Sequence, residues 1–225
     1  MSKEIDSLVG LLKWPVAVVS LICLPGLALS LSAVVQAIYH SPRPCYPFVA
    51  AAFAYAVLWV VLLRRSSFVA FANVEHELTH ALFAWLTLHR VIGLGAALRS
   101  GSHIRYVGKG NWLIAIAPFF VPTCSLVLVG VVCLLPIRYL AFGSAALGVT
   151  VAHHALSTWP ASHRHQSDLR EAGFLFRLIF LPAANALIYG LILCAACGLH
   201  PLMAYLRHVP APTIAFAHWI VSLLK

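Results

Sequence analysis

The sequence predicts an all-α polytopic membrane protein, with about six transmembrane helices and a small β-hairpin after the third. Three observations carry this prediction. The 225 residues are 62% hydrophobic and only 9% charged, a balance outside that of soluble domains. Several apolar runs approach or exceed the roughly 20 residues a helix needs to cross a bilayer. The runs are continuously apolar rather than alternating, which disfavours a transmembrane β-barrel.

In chain order, residues 1–13 form a polar lead with Lys3, Glu4, Asp6 and Lys13. Its apolar positions suit an amphipathic helix on the membrane surface. Residues 14–225 read as a single membrane-embedded domain with a core over 68–199. The first span, Trp14 to about Tyr39, is too long for a signal-peptide core and no small-residue cleavage site follows it. Pro25-Gly26 is expected to bend it. A proline-rich turn, Ser41 to Pro47, leads to the second span, Phe48 to Leu63. The third runs from Phe68 to about His89.

Val91 to Asn111 carries five glycines among mixed residues, with a turn signal at Ser100-Gly101. It reads as a β-hairpin or as a plain connecting loop. A hairpin here must lie at the interface or be shielded by protein, and its edge could accept an extended peptide. Trp112 to Leu135, with Pro118 and Pro122, is the fourth span, and Ile137 to about Leu156, ending in His153-His154, the fifth. Ser157 to Arg170 reads as a polar, histidine-rich loop. Phe174 to about Leu199 is the sixth span and contains Asn185. Val209 to Leu224 is either interfacial or a seventh crossing.

The net charge of +9 does not indicate nucleic acid. Lys and Arg are scattered between apolar runs, as at a lipid headgroup surface, with no basic cluster interleaved with aromatics. Six strictly alternating spans divide the 15 Lys and Arg seven to eight, which sets no orientation, whereas a seventh crossing makes the division six to nine and weakly places the hairpin and Asp168 towards the cytoplasm. Five of the six cysteines lie in apolar runs and read as small hydrophobes. Cys194 and Cys197 have redox spacing but lack a thioredoxin-like context.

The chemistry is concentrated in His76-Glu77-Leu78-Thr79-His80, a complete H-E-x-x-H. Residues four apart lie on one helical face, so both imidazoles can reach one metal ion while Glu77 leans towards a water on it. As an exposed charged helix face the motif would mean little. Here two of only six acids, Glu75 and Glu77, sit in an otherwise apolar helix, where ionisable groups are costly and default to function. A zinc ion held by two histidines needs a third protein ligand. The acids available for it are Asp168, Glu171 and Glu75. A helix N-terminal acid is the structural alternative for Asp168. His163 and His165 read as loop residues. His153 and His154 are either partners that orient the ligand imidazoles or satisfied polar residues of the bundle. Asn185 hydrogen-bonds either a substrate backbone or a neighbouring helix.

From Phe68 to about Leu199 the chain resembles the site-2 protease family of intramembrane zinc metalloproteases. In that family the H-E-x-x-H helix is followed by a β-hairpin, then a span, then an aspartate ligand at the head of a later helix. His76, Glu77 and His80 match the first motif, and Gly93 to Gly110 resembles the hairpin. Ala115-Ile116-Ala117-Pro118 resembles the start of the next span, and Asp168 the later aspartate. Gln166-Ser167-Asp168-Leu169 stands where the family has an Asp-Gly context, which leaves Glu171 and His165 as alternative ligands. With no PDZ or nucleotide-sensing module, the resemblance is to a minimal member.

The resemblance implies one Zn2+ per chain held by His76, His80 and Asp168, with Glu77 as general base. The implied reaction is hydrolysis of peptide bonds in or near transmembrane segments. The expected partners are a membrane-protein or peptide substrate and the lipid bilayer, and the expected location is a bacterial cytoplasmic membrane. Two other readings stand beside it. One is a membrane zinc peptidase resembling the CAAX prenyl-protein proteases, with a glutamate as third ligand. The other is a non-catalytic metal-binding membrane protein.

Overall fold

The structure, a computed structural model, describes residues 2–63, 68–93, 105–164, 170–198, 205, 207 and 209–223. Its principal helices are α1 (Ser2–His40), α2 (Tyr46–Val61), α3 (Phe68–Leu86), α4 (Trp112–Ile116), α5 (Thr123–Leu134), α6 (Leu140–Arg164), α7 (Phe174–Ala196) and α8 (Pro210–Leu223). Strands β1 (Val91–Gly93) and β2 (Arg105–Tyr106) pair antiparallel, Val91 facing Tyr106 and Gly93 facing Arg105. This two-stranded sheet is the base of a hairpin. The Ser100-Gly101 turn lies outside the described residues.

Among the described residues four segments are long and apolar enough to cross a membrane: Ser2–His40, Arg43–Val61, Ile137–Thr158 and Phe174–Ala196. The α4–α5 region makes a fifth if counted as one bent span, its two halves meeting at 69°. That bend replaces the straight fourth span expected from sequence. Pro118 and Pro122 flank it, and neither can supply the N–H that an uninterrupted helix requires. The motif helix α3 is not among the candidate spans. Its glutamates and histidines dilute an otherwise apolar run.

Two other boundaries differ from the sequence reading, and the last segment, left open there, is short. The polar lead and the first span form one helix of 39 residues, about 58 Å long at 1.5 Å per residue. Helix α6 continues to Arg164, so His163 lies in its last turn rather than in a loop. Helix α8 has 14 residues, and about 21 Å of helix is too short for a hydrocarbon core of about 30 Å. It packs instead along α1, where Gly26 leaves room for Thr213 and the carbonyl of Val209.

Helix packing uses two devices. Around the start of α7, Trp112, Phe120, Phe176 and Phe180 form a buried aromatic cluster, with Phe176 and Phe180 stacked at 5.3 Å. Between α2 and α6, Gly148 lies against the backbone of Phe48, where a Cβ would overlap the Phe48 carbonyl. Small residues that admit close backbone approach are how helices associate in lipid, where the hydrophobic effect gives no drive. Large side chains such as Phe53, Val61, Leu134 and Phe142 point outward, as a lipid-facing surface requires.

The two ends of the bundle are distinct. Asp6 reaches His89 Nε2 at 3.1 Å and accepts from Asn111 Nδ2 at 2.8 Å, while Trp112 Nε1 donates to the carbonyl of Val9 at 2.6 Å. Lys13 lies over the Phe176 ring. The hairpin base and the head of α7 therefore share an end with the N-terminus. Strict alternation of full crossings would have sent both to the opposite end. That opposite end holds a disulfide between Cys45 and Cys197, with Cα atoms 5.0 Å apart. Cys197, read from the sequence as a small hydrophobe, is thus cross-linked. The pairing was hidden because 152 residues separate the two cysteines.

Candidate metal centre

Helix α3 carries the motif through the interior, with Glu75, Glu77, Thr79 and His80 all buried. One helical turn brings His76 Nε2 and His80 Nε2 to 3.2 Å from one another. His80 Nδ1 lies 2.7 Å from the carbonyl oxygen of Ile114. A carbonyl only accepts, so Nδ1 carries the proton and a neutral His80 keeps its Nε2 lone pair facing His76. Phe119 stands edge-on to the His76 ring, with centroids 5.7 Å apart. Glu77, next along the helix, is 6% exposed.

The neighbouring face of α3 is fixed by a second polar set. The backbone N–H of Cys124, in the first turn of α5, donates to Glu75 Oε1 at 3.2 Å. Thr79 donates its hydroxyl proton to the Glu75 carbonyl at 2.9 Å, so the Thr123 hydroxyl 2.6 Å away donates in turn to Thr79. His153 Nε2 and His154 Nδ1 lie 3.5 and 3.8 Å from the Glu75 carboxylate. His153 Nδ1 shares a hydrogen bond of 2.7 Å with the Tyr55 hydroxyl. These contacts of His153 and His154 are with Glu75 and Tyr55, not with the motif imidazoles.

A cavity of about 630 Å³ opens between the end of α6 and the first half of α7. Phe119 and His154 form its inner wall, and Leu178, Leu181, Asn185 and Tyr189 line it along α7. Asn185 Oδ1 is buried there with no hydrogen-bond partner among the described residues. The cavity is thus one ring away from His76 and one ring away from Glu75.

The preferred third ligand, Asp168, lies outside the described residues, as does its alternative His165. Glu171 is described and exposed. Among the described residues no three His, Cys, Asp or Glu side chains converge to hold a metal ion. Two features of the site escaped the sequence reading. The Ile114 carbonyl was signalled by Pro118, four residues on, where the helical donor is missing. The Glu75–Cys124 contact was signalled by the helix start after Pro122, whose first N–H groups need an acceptor.

No family model matches the chain, and no curated protein or solved structure matches it. The case for a metal rests on the donors themselves. Two nitrogens at about 2.05 Å from a tetrahedral zinc ion stand about 3.3 Å apart. The observed 3.2 Å agrees with that spacing and equally suits one imidazole donating to the other. The carbonyl behind His80 Nδ1 is the usual outer partner of a ligating imidazole. In donor type, spacing and orientation, the pair fits a zinc ion.

Proposed function

We propose that this chain is an intramembrane zinc metalloprotease that hydrolyses peptide bonds in or near the transmembrane segments of other membrane proteins. The observation that carries the reading is the histidine pair, its Nε2 atoms 3.2 Å apart and one imidazole locked by a backbone carbonyl inside an apolar bundle. In this reading His76 and His80 hold the zinc ion and Asp168 supplies the third donor. The ion, when bound, polarises the scissile carbonyl and acidifies the attacking water. Glu77 takes that water's proton and passes it to the leaving amine. The burial of Glu77 keeps bulk water from competing for the proton.

Two further features support the reading. Ala172 is fully buried in the cluster that contains Ile116 and Ala117, beside the bend that touches both histidines. Asp168 is four residues away, and four residues of chain span at most about 14 Å. The cavity beside Phe119 suits an unwound substrate strand, with Asn185 Oδ1 accepting a backbone N–H that the substrate helix no longer uses. We read α1, α2, the bent α4–α5 pair, α6 and α7 as the crossings. Helix α3 is enclosed among them rather than counted as a sixth.

The test is zinc content together with cleavage of co-reconstituted single-span membrane proteins. Wild type is expected to bind one zinc ion per chain. His76→Ala and Asp168→Ala should lose it. Glu77→Gln should keep the metal while cleavage falls by about 10²- to 10⁴-fold, the usual contribution of a general base. Full turnover by Glu77→Gln with zinc bound would falsify the assignment. Loss of zinc in Glu171→Ala but not in Asp168→Ala would favour the CAAX-type reading, and zinc binding without any proteolysis the non-catalytic one.

A further inference from the structure

Two independent features distinguish the ends of the bundle, and neither depends on the metal site. The first is cationic charge. Among the described residues Lys3, Lys13, Arg90, Arg105, Lys109 and Arg170 all lie at the end that carries the N-terminus and the hairpin base. The opposite end holds Arg43 and Arg138, with Arg207 beside the second half of α7. The near-even division read from the sequence assumed that the hairpin lay across the membrane from the N-terminus. The Asp6–His89 and Asp6–Asn111 contacts bring it back and turn an even count into a strong bias. Glu4, Asp6 and Glu171 share the basic end, but Lys and Arg rather than net charge set orientation.

The second feature is the Cys45–Cys197 disulfide at the other end. It joins the turn between α1 and α2 to the end of α7, close to the point where Leu140 opens α6. Disulfides persist in oxidising compartments and are rare on the cytosolic side of a membrane.

We propose that the Cys45–Cys197 end faces an oxidising extracytoplasmic compartment and the basic end faces the cytoplasm, against the anionic headgroups of that leaflet. In forming the cross-link, the two thiols give up two protons and two electrons to a disulfide-bearing thiol oxidant of that compartment, which is itself reduced to a dithiol. The headgroups complement the basic end, since each Lys or Arg near an anionic leaflet is attracted to it. The cross-link covalently ties α2 and α7 at the end remote from the histidine pair.

Two measurements on the full chain in intact cells test this. After acid quenching and denaturation, thiols are tagged with a maleimide polymer before and after reduction. The structure leaves four of the six cysteines free, so four adducts are expected before reduction and six after it. Cys45→Ser should give five adducts in both cases. Reporter cysteines are then placed one at a time at Ser7 on the basic end and at Ile137 on the other, in a background where Cys23, Cys124, Cys133 and Cys194 are replaced by serine. A membrane-impermeant maleimide should reach Ile137→Cys in intact cells and Ser7→Cys only after permeabilisation. Six adducts without reduction, or the reverse order of labelling, overturns the proposal. Neither readout depends on zinc or proteolysis, so its failure and that of the protease reading are separable.

Discussion

Glu75 offers the sharpest test of how α3 is held. Its carboxylate is the acceptor for the Cys124 N–H, a first-turn donor of α5 with no partner inside its own helix. Glu75→Ala strands that buried donor, a loss of about 1–3 kcal/mol. It also removes a negative group from a helix N-terminus, worth up to about 2 kcal/mol where partly buried. The imidazoles of His153 and His154, at 3.5 and 3.8 Å, are beyond good hydrogen-bonding distance and add less. The expected total is about 2–4 kcal/mol, below the sum of the full terms because the site relaxes. Glu75→Gln keeps a carbonyl acceptor in place and should cost about 1 kcal/mol. Because His76 is the next residue, freeing this face lets the imidazoles rotate, and zinc affinity should fall at least about tenfold in Glu75→Ala. Thermal unfolding and competitive zinc titration of the same detergent-solubilised samples measure both effects. If Glu75→Gln proves as damaging as Glu75→Ala, the hydrogen-bond account is wrong and charge alone is at work. If neither variant differs from wild type, α3 is held by something else.

Two further outcomes follow from the packing. Gly148→Ala should destabilise the bundle by about 1–3 kcal/mol, because the added Cβ meets the backbone of Phe48, which cannot rotate away. Gly130→Ala, with nothing within 4 Å of its Cβ, should leave the unfolding temperature unchanged, and an equal loss in both would point to backbone conformation instead. Asp6→Ala removes the shared acceptor of His89 and Asn111 and should cost about 1–3 kcal/mol. Hydrogen exchange should then rise over 105–111 at the hairpin base while α6 and α7 stay protected.

The spanning helices were legible because lipid demands continuous apolar runs, and such runs are written locally. The motif was legible for a related reason: His76, Glu77 and His80 lie within five positions, so spacing alone aligns the imidazoles. What the sequence did not show depends on distance along the chain. Asp6 meets His89 across 83 positions and Asn111 across 105, and nothing near Asp6 signals either partner. The same holds for Cys45 and Cys197. The side on which the hairpin emerges is not legible in the sequence, because an apolar run of adequate length need not be a crossing. The helix containing it carries four ionisable groups that must be enclosed by protein, and it returns the chain to the N-terminal end.

The bend between α4 and α5 explains why those ionisable groups are tolerated. Proline at position 118 has no N–H to offer the carbonyl of Ile114, and the helix that restarts after Pro122 leaves the N–H of Cys124 without a partner. Both are backbone groups inside an apolar bundle, where a missing hydrogen bond costs several kcal/mol by the usual estimate of about 2–7. The motif helix answers both deficits. His80 Nδ1 donates to the Ile114 carbonyl, and Glu75 accepts from Cys124, five positions apart on the same helix. A straight α4–α5 helix would use these groups internally and take one partner each from His80 and Glu75. The prolines and the polar motif are therefore complementary defects: each would be destabilising alone, and together they fix how α3 is rotated within the bundle.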